Sequence, residues 1–396
     1  MVNLSESGSY VLAESLETFA AEKLAQLSAR DLRRSPPTTA GDGGMWVRRD
    51  GRRLLSFSSN DYLHLSSHPS VREASIDAVR RYGAGSGASY LVTGRHPLYA
   101  ELEARLASIK GTEAACVFGS GYLANAGIVG ALAGDDDVVF LDELSHACMW
   151  AGARSSGAAM HAYAHNNVEH LARLLAEHRG GGERRALVLT EGVFSMDGDL
   201  APLRELGALA REFDAWLLTD DAHGFGVVGA GRGSSFAHGE RIAVPLQMGT
   251  LSKAAGGYGG YLCASRAVVE LMKNRARTFV YSTALPPAVV GAAIAALDII
   301  ASDAALVARP LSLARRFARR LGLAEPASAI VSLVVGTARR ALDAQRRLED
   351  EGFLVVAIRP PTVADGTARL RVTFSAGHDE HDVDALADAV GRHVLA

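Results

Sequence analysis

"RALVLTEGVFSMDGDLAPLRELGALAREFDAWLLTDDAHG" (residues 185–224) decides the fold. Two short apolar runs, "ALVLT" and "WLLT", flank a segment, "PLRELGALAREF", that reads as a helix. Apolar runs of this length, joined through a helix, indicate strands of a parallel sheet buried on both faces. Each run ends in acids, Glu191 after the first and Asp220 and Asp221 after the second. Parallel sheets bind ligands beyond the carboxyl ends of their strands, which makes those acids candidates for chemistry.

The alternation continues outward. "AACVFG" precedes a helix from Tyr122, "DVVFLD" precedes a helix from Ser145, and "PLQMGTL" and "GGYLCAS" are two more apolar strand-like runs. The fold class is α/β, with a mostly parallel central sheet. Gly119–Tyr122, Glu191–Ser195, Asp220–His223 and Thr250–Lys253 each sit just after a strand. Toward the N-terminus, residues 12–34 read as a charged amphipathic helix ended by "SPPTTAGDGG". "MWVRRDGRRLLSF" then reads as a strand pair turning at Asp50-Gly51. After Pro286-Pro287, two Ala/Leu/Arg helices, 287–302 and 304–322, lead into strand–helix–strand–helix. The expected organisation is an N-terminal helix and strand segment (1–60), a large cofactor-binding domain (61–285) and a smaller α+β domain (286–396).

With 396 residues and 48% hydrophobic content, the chain can fill a large core. A net charge of −3 with interspersed signs argues against a nucleic-acid footprint or a polybasic membrane surface. Cys116, Cys148 and Cys263 are odd in number and lack metal-ligand spacing, so they read as buried thiols of a reducing compartment. The N-terminus lacks the pattern of a signal peptide, and the apolar stretch Ala288–Leu297 falls short of the roughly 18–20 residues a membrane span needs. These features lead us to expect a soluble cytoplasmic protein with no metal.

"GTLSKAAGGYGG" (249–260) holds one charged residue, Lys253, among small neighbours that admit something bulky. A lysine can hold a carbonyl cofactor as a Schiff base, and the Thr250 and Ser252 hydroxyls suit a phosphate. Asp220, at a strand end, suits the ring nitrogen of a lysine-bound pyridine, and His223 its phenolic oxygen. The same Asp, Asp and His types also suit a metal or a helix cap. "FGSGYLAN" places free backbone N–H groups at a strand-to-helix junction, a phosphate cradle. His146 of "DELSHACMW" is placed either to stack on a flat ring or to serve structure. Ser195 of "EGVFSMDGD" either meets the cofactor or caps the next helix. "YGAGSGASYLVTG" forms no G-x-G-x-x-G, and neither a P-loop nor a G-x-S-x-G elbow occurs.

Taken together, "FSSNDYL", "SGYLAN", "DELSHA", "TEGVFSMDGD", "DDAHGFGVVG", "TLSKAAGGYGG", "YSTALPPA" and "IRPPTVADGTARLRVT" resemble the α-oxoamine synthases. These are pyridoxal-phosphate enzymes of the aspartate-aminotransferase fold, PLP-dependent transferase fold type I, and the likeness runs from about Leu32 to the C-terminus. The resemblance implies pyridoxal 5'-phosphate held by Lys253, with Asp220 on the pyridine nitrogen, His146 stacked on the ring, and His223 and Ser195 at the phenolic oxygen. Gly121, Tyr122 and Thr250 would hold the phosphate. Arg371 matches the arginine for the amino acid carboxylate, Thr362 a substrate-contacting threonine, and Arg33 an arginine near the acyl donor. The implied assembly is a homodimer with shared sites, in which Ser282 or Thr283 reaches the neighbour's phosphate.

The implied reaction is a decarboxylative condensation of an amino acid with an acyl-CoA. "IRPPTVADGTARLR" and "YSTALPPA" look most like the members of biotin synthesis, which use L-alanine and a pimeloyl thioester. The alternatives are a glycine-using relative (2-amino-3-ketobutyrate ligase or 5-aminolevulinate synthase) or a secondary-metabolism synthase with another acyl donor. An aminotransferase would share Lys253 and Asp220, whereas a noncatalytic binding protein would be expected to lose one of them. His64, Tyr90, Ala255 and Asp365 depart from the family pattern, and bear on the acyl chain more than on the chemistry.

Overall fold

The computed structural model describes residues 14–35, 37–180 and 184–395. After α1 (Glu14–Ala29), β1 (Thr39–Gly41), β2 (Trp46–Arg49) and β3 (Arg52–Ser56) form an antiparallel meander. The β2–β3 turn falls at Asp50-Gly51, where φ is 47° and 81°. Two left-handed residues in succession match the twist of a two-residue hairpin.

The next elements are α2 (Pro69–Tyr82), α3 (Leu98–Lys110), β4 (Ala114–Phe118), α4 (Gly121–Leu132), β5 (Val138–Asp142), α5 (Ala147–Ser156), β6 (Ala159–Tyr163) and α6 (Val168–His178). They continue with β7 (Ala186–Glu191), α7 (Leu203–Glu212), β8 (Trp216–Asp220), β9 (Leu246–Thr250), β10 (Gly260–Ala264), α8 (Arg266–Arg275) and α9 (Arg277–Val280). A seven-stranded sheet results, in the order β4-β10-β9-β8-β7-β5-β6. Only β10 runs against its neighbours, pairing antiparallel with β4 and β9. The sheet is mostly parallel, as expected, and β4, β5, β7, β8 and β9 end along one edge. The segment at β6, "AMHAY", is not among the apolar runs of the sequence reading. It lies at the margin of the sheet, where alanines and a methionine face outward, so it carries little hydrophobic signal.

The chain ends with α10 (Pro287–Ser302), α11 (Ala304–Arg320), β11 (Ile330–Gly336), α12 (Ala338–Asp350), β12 (Phe353–Leu354), β13 (Ala357–Ile358), β14 (Ala368–Thr373) and α13 (Glu380–His393). β11, β14 and β13 make a small antiparallel sheet. Core membership places the division between the two bodies elsewhere than residue 286. Val290, Ala293, Leu297 and Ile300 of α10 pack in the same core as Val117, Leu218 and Tyr261. The two prolines mark a helix start, where a missing N–H costs nothing, and not a change of core. Along α11, Val307 still belongs to that core, whereas Leu313, Ala314 and Phe317 join a second one with Leu348, Leu370 and Leu386. Met45, Leu55 and Phe57 lie in the second core too, and β3 pairs in parallel with β12, Leu55 opposite Phe353. Residues 39–57 are thus part of the smaller body. Among the described residues, no single helix is long and apolar enough to cross a membrane.

Candidate active site

A cavity of about 200 Å³ opens beyond the ends of β4, β7, β8 and β9. At one end the chain turns from β4 into α4. The Ser120 hydroxyl caps this helix by accepting from the Leu123 amide at 3.2 Å. A Cβ built on Gly260 would come 2.5 Å from the Ser120 carbonyl oxygen, so β10 can approach this turn only as glycine. A Cβ on Gly121 would touch Met248 and Thr250, at 3.3 and 3.5 Å. The start of α4 therefore faces Thr250 and Ser252 across a narrow gap, also lined by Tyr122. Thr250 Oγ1 lies 2.7 Å from both Ser252 Oγ and the Gly259 carbonyl. A helix N-terminus with two hydroxyls beside it suits a phosphate.

The deep wall is acidic. Asp220 accepts from Asn125 Nδ2 at 2.7 Å and from the Ala222 amide at 2.9 Å. Beside it, on the neighbouring strand, stands Glu191, whose Oε2 accepts from the Ser195 amide at 2.9 Å. Burial, and next the charge of Asp220, push the Glu191 pKa well above the usual carboxyl range. Lys253 also lines the cavity. Burial lowers its pKa, while Asp220 and Glu191 pull the other way, which brings the free amine nearer to neutral pH than in water.

His146 stands at the N-terminus of α5, and its Nδ1 accepts from the Cys148 amide at 3.3 Å, with the Cys148 sulfur 2.9 Å away. Burial lowers its pKa, so it is a neutral ring. His223 is held more tightly. Its Nδ1 lies 2.6 Å from the Tyr62 hydroxyl and 3.4 Å from Arg371 Nη2. A guanidinium can only donate, so Nδ1 is the acceptor, and the ring proton belongs on Nε2. Burial, followed by the cations Lys253 and Arg371, drives the His223 pKa well below that of ordinary imidazole and keeps it neutral.

Arg371 reaches this cluster from β14 of the smaller body. Its Nε donates to the Ser195 carbonyl at 2.5 Å, its Nη1 to Asn60 at 3.0 Å and its Nη2 to Tyr62 at 3.3 Å. Ser195 is buried in the loop after β7. Asn60, Tyr62, Asn125 and Cys148 have no site role in the sequence reading, which singles out Glu191 only as a strand-end acid. Asn60 and Tyr62 stand in the quoted "FSSNDYL" and Asn125 ends the quoted "SGYLAN", which was the available signal; the partner of Asn125 lies 95 positions away, so the motif alone did not give its contact.

Two expected substrate residues stand outside the cavity. Arg33 is exposed on a surface groove with Arg49 and Arg359, and the exposed Thr362 accepts from Arg34 Nη2 at 3.3 Å. Ser282 and Thr283 lie on a segment where Thr283 bridges to Ser89. Among the departures, Tyr90 is buried, with its hydroxyl 3.2 Å from Glu103. His64 has φ 56° and meets Ser67 at 2.9 Å. Ala255 is buried close to Lys253, and Asp365 faces Arg30 at 3.6 Å. Among the described residues, no group of three or more His, Cys, Asp or Glu is placed to hold a metal ion.

The family model for aminotransferase class I and II matches residues 52–390. The chain belongs to this family. Proteins named 8-amino-7-oxononanoate synthase are similar to it over nearly the whole length. That of Maricaulis maris is 59% identical, covering 94% of this chain and 95% of its own. An Acidiphilium cryptum protein that bears the name provisionally is 62% identical, covering 96% and 98%. Among solved structures, an SPT holding PLP superposes with a TM-score of 0.90 at 28% identity, covering 96% of this chain and 98% of that one. The 8-amino-7-oxononanoate synthase of Francisella tularensis gives 0.73 at 26% identity, covering 86% and 98%. Within the family, the likeness is to the α-oxoamine synthases, and among them to 8-amino-7-oxononanoate synthase.

Proposed function

We propose that this chain is a pyridoxal-phosphate-dependent C-acyltransferase that condenses L-alanine with a pimeloyl thioester. The products are 8-amino-7-oxononanoate, carbon dioxide and CoA, in biotin synthesis. The observation that carries the reading is the convergence of Lys253, Asp220, His146 and His223 on one cavity, beside Arg371, in a chain 55–62% identical to proteins of that name.

The residues fit the cofactor. The cradle at Gly121, Thr250 and Ser252 suits its phosphate, Lys253 its aldehyde, Asp220 its ring nitrogen, and His146 one face of its ring. His223, with its proton on Nε2, donates toward the phenolic oxygen, and Ser195 lies on the same side. Bound pyridoxal phosphate supplies an electron sink that makes the α-carbon of the amino acid acidic. Arg371 pairs with the substrate carboxylate, and its contacts to the Ser195 carbonyl and Asn60 fix the plane of the guanidinium. Lys253, whose pKa is lowered by burial, takes the α-proton as free amine and returns it after decarboxylation.

The donor chain is read from the relatives' name. Arg33, Thr362, and Ser282 or Thr283 are proposed to act across a homodimer interface. The exposed apolar side chains of Leu91, Val92 and Tyr281, the last two about three-quarters exposed, support such a contact on the Ser89–Thr283 side. Free buried cysteines and interspersed charge support a cytoplasmic location. The test is the visible spectrum of the holoprotein titrated with L-alanine, glycine and L-serine in turn. The expected result is the strongest shift with alanine, followed by release of CoA from pimeloyl-CoA. A response to glycine alone moves the assignment to a glycine-using synthase, and amino-group exchange with a keto acid moves it to an aminotransferase.

A further inference from the structure

Glu191 and Asp220 are register partners at the ends of β7 and β8; both are buried and both line the cavity. Two carboxylates placed side by side repel, and one of them gains by keeping its proton. The donors around each decide which. Asp220 accepts an N–H at both oxygens, from Asn125 and from Ala222. Glu191 accepts the Ser195 amide at Oε2, and its Oε1 is buried without a hydrogen-bond partner. An ionised oxygen left bare in an interior is costly, whereas a carboxylic acid needs only one acceptor for its O–H. The unpartnered atom belongs to a side chain that lines the cavity, so that acceptor is to be supplied by whatever fills it.

We infer that Glu191 is the neutral member of this carboxyl pair, and that its O–H donates a hydrogen bond into the cavity, to an oxygen or nitrogen of the bound cofactor or amino acid. Asp220 then carries the single negative charge offered to the ring. The identity of the acceptor rests on the pyridoxal-phosphate reading; the proton on Glu191 does not. Of the influences on Glu191, burial and Asp220 are the largest, and both favour the neutral form. Asp220 on β8 opposes its ionisation, and Tyr62 and Cys148, themselves neutral, do not favour it. The His146 backbone amide, at the start of α5, faces Glu191 and, like the Ser195 amide, favours its ionised form. Lys253 is the cation that favours ionisation, and its own burial weakens it. His223 and Arg371 approach from the far side, where Ser195 separates the guanidinium from Glu191.

The experiment is infrared spectroscopy of apoprotein labelled with [13C]glutamate, at about pH 7.5, where exposed glutamates are ionised. We expect a protonated-carboxyl stretch that vanishes in Glu191→Gln and persists in Glu103→Gln, the control for the buried glutamate beside Tyr90 and Lys273. Absence of the band from wild-type protein overturns the proposal, and that measurement needs no variant to fold. In the holoprotein, Glu191→Gln keeps a neutral donor. The pH midpoint of its cofactor absorption is expected within about 0.3 unit of wild type, because no charge is lost. Glu191→Ala is expected to lose roughly 10–100-fold in kcat/KM, the cost of an unmade buried hydrogen bond. A midpoint displaced by more than about one unit in Glu191→Gln, or unchanged kcat/KM in Glu191→Ala, overturns it. If wild-type protein binds no chromophore, the functional reading fails while the infrared band still decides the proton.

Discussion

Lys253 sits in a loop pinned at its base, which leaves the motion in its side chain. The Leu251 amide donates to Gly259, the Gly257 amide to Leu251 and the Gly256 amide to Lys253, at 2.8–2.9 Å. The ammonium therefore moves by rotamer change against a fixed backbone. Lys253→Ala is expected to lower turnover by at least about a thousandfold while leaving noncovalent uptake of the cofactor, seen as bound chromophore that leaves no cofactor covalently attached to the protein after borohydride reduction and denaturation. Substantial residual turnover would sink the assignment. The position of Lys253 was readable because a lone charge among small residues after an apolar run has few structural uses. Asp220 and His223 were readable for a related reason, since both follow a run that can only be a buried strand. The partners that fix them were not. Tyr62 and Asn125 come from distant elements, and their contacts depend on how the chain closes up.

At the scale of elements, two charge clusters, one half-buried and one fully buried, hold the loops that carry the site. His165, in the β6–α6 connection, places Nδ1 3.1 Å from Asp142 and Nε2 2.8 Å from Asp199. Burial opposes its charge, yet the two carboxylates together outweigh burial and raise its pKa to about 10. A raised folded-state pKa means that this stabilisation is complete below the ordinary imidazole value of 6.5 and fades as pH climbs toward 10. Asp199 also anchors the Phe194 amide at 2.9 Å, next to the Ser195 carbonyl that receives Arg371. His165→Gln should therefore unfold at lower urea than wild type at about pH 6, with the gap shrinking by about pH 9.5; equal gaps at both would refute the clamp. The second cluster is the Lys110–Asp221 pair at 2.8 Å, with both side chains 1% exposed, directly after Asp220. Removing one partner leaves a bare buried charge, so Lys110→Met is expected to cost about 3–5 kcal/mol in denaturant unfolding, partly recovered by adding Asp221→Asn. A loss below about 1 kcal/mol would mean that water reaches the pair.

For the whole molecule, the alternation of short apolar runs gave the central sheet, because parallel strands buried on both faces have almost no other sequence signature. Which core each helix joins had no such signature. α10 is apolar almost throughout and α11 carries five arginines, but neither composition says which body a helix packs on; α10 joins the large one, and the early strands β1–β3 travel to the small one. Arg33 and Thr362 lay beyond a single-chain reading for another reason: both are on the outer surface here, and their proposed role needs a neighbouring subunit. Mixed dimers test this. Lys253→Ala and Arg33→Ala chains, each inactive alone, should recover about a quarter of wild-type activity when co-assembled, since half of random dimers hold one intact shared site. No recovery would place Arg33 on its own chain's chemistry.

The division of the cores has a mechanical consequence. By core membership the backbone crosses between the two bodies between Phe57 and Tyr62, along α11 between Val307 and Leu313, and again on each side of Ala329 and Ile330, which return to the large core before Val331 and Leu333 rejoin the small one. Each crossing is a pivot, so a swing of the smaller body is hinged at these few short segments. Pro310 lies inside α11 on the second crossing, where it removes a backbone donor from the helix ladder and makes that pivot the more compliant. Arg371 rides on the swinging body and Lys253 on the stationary one, so a substrate gripped by both would act as a latch across the gap.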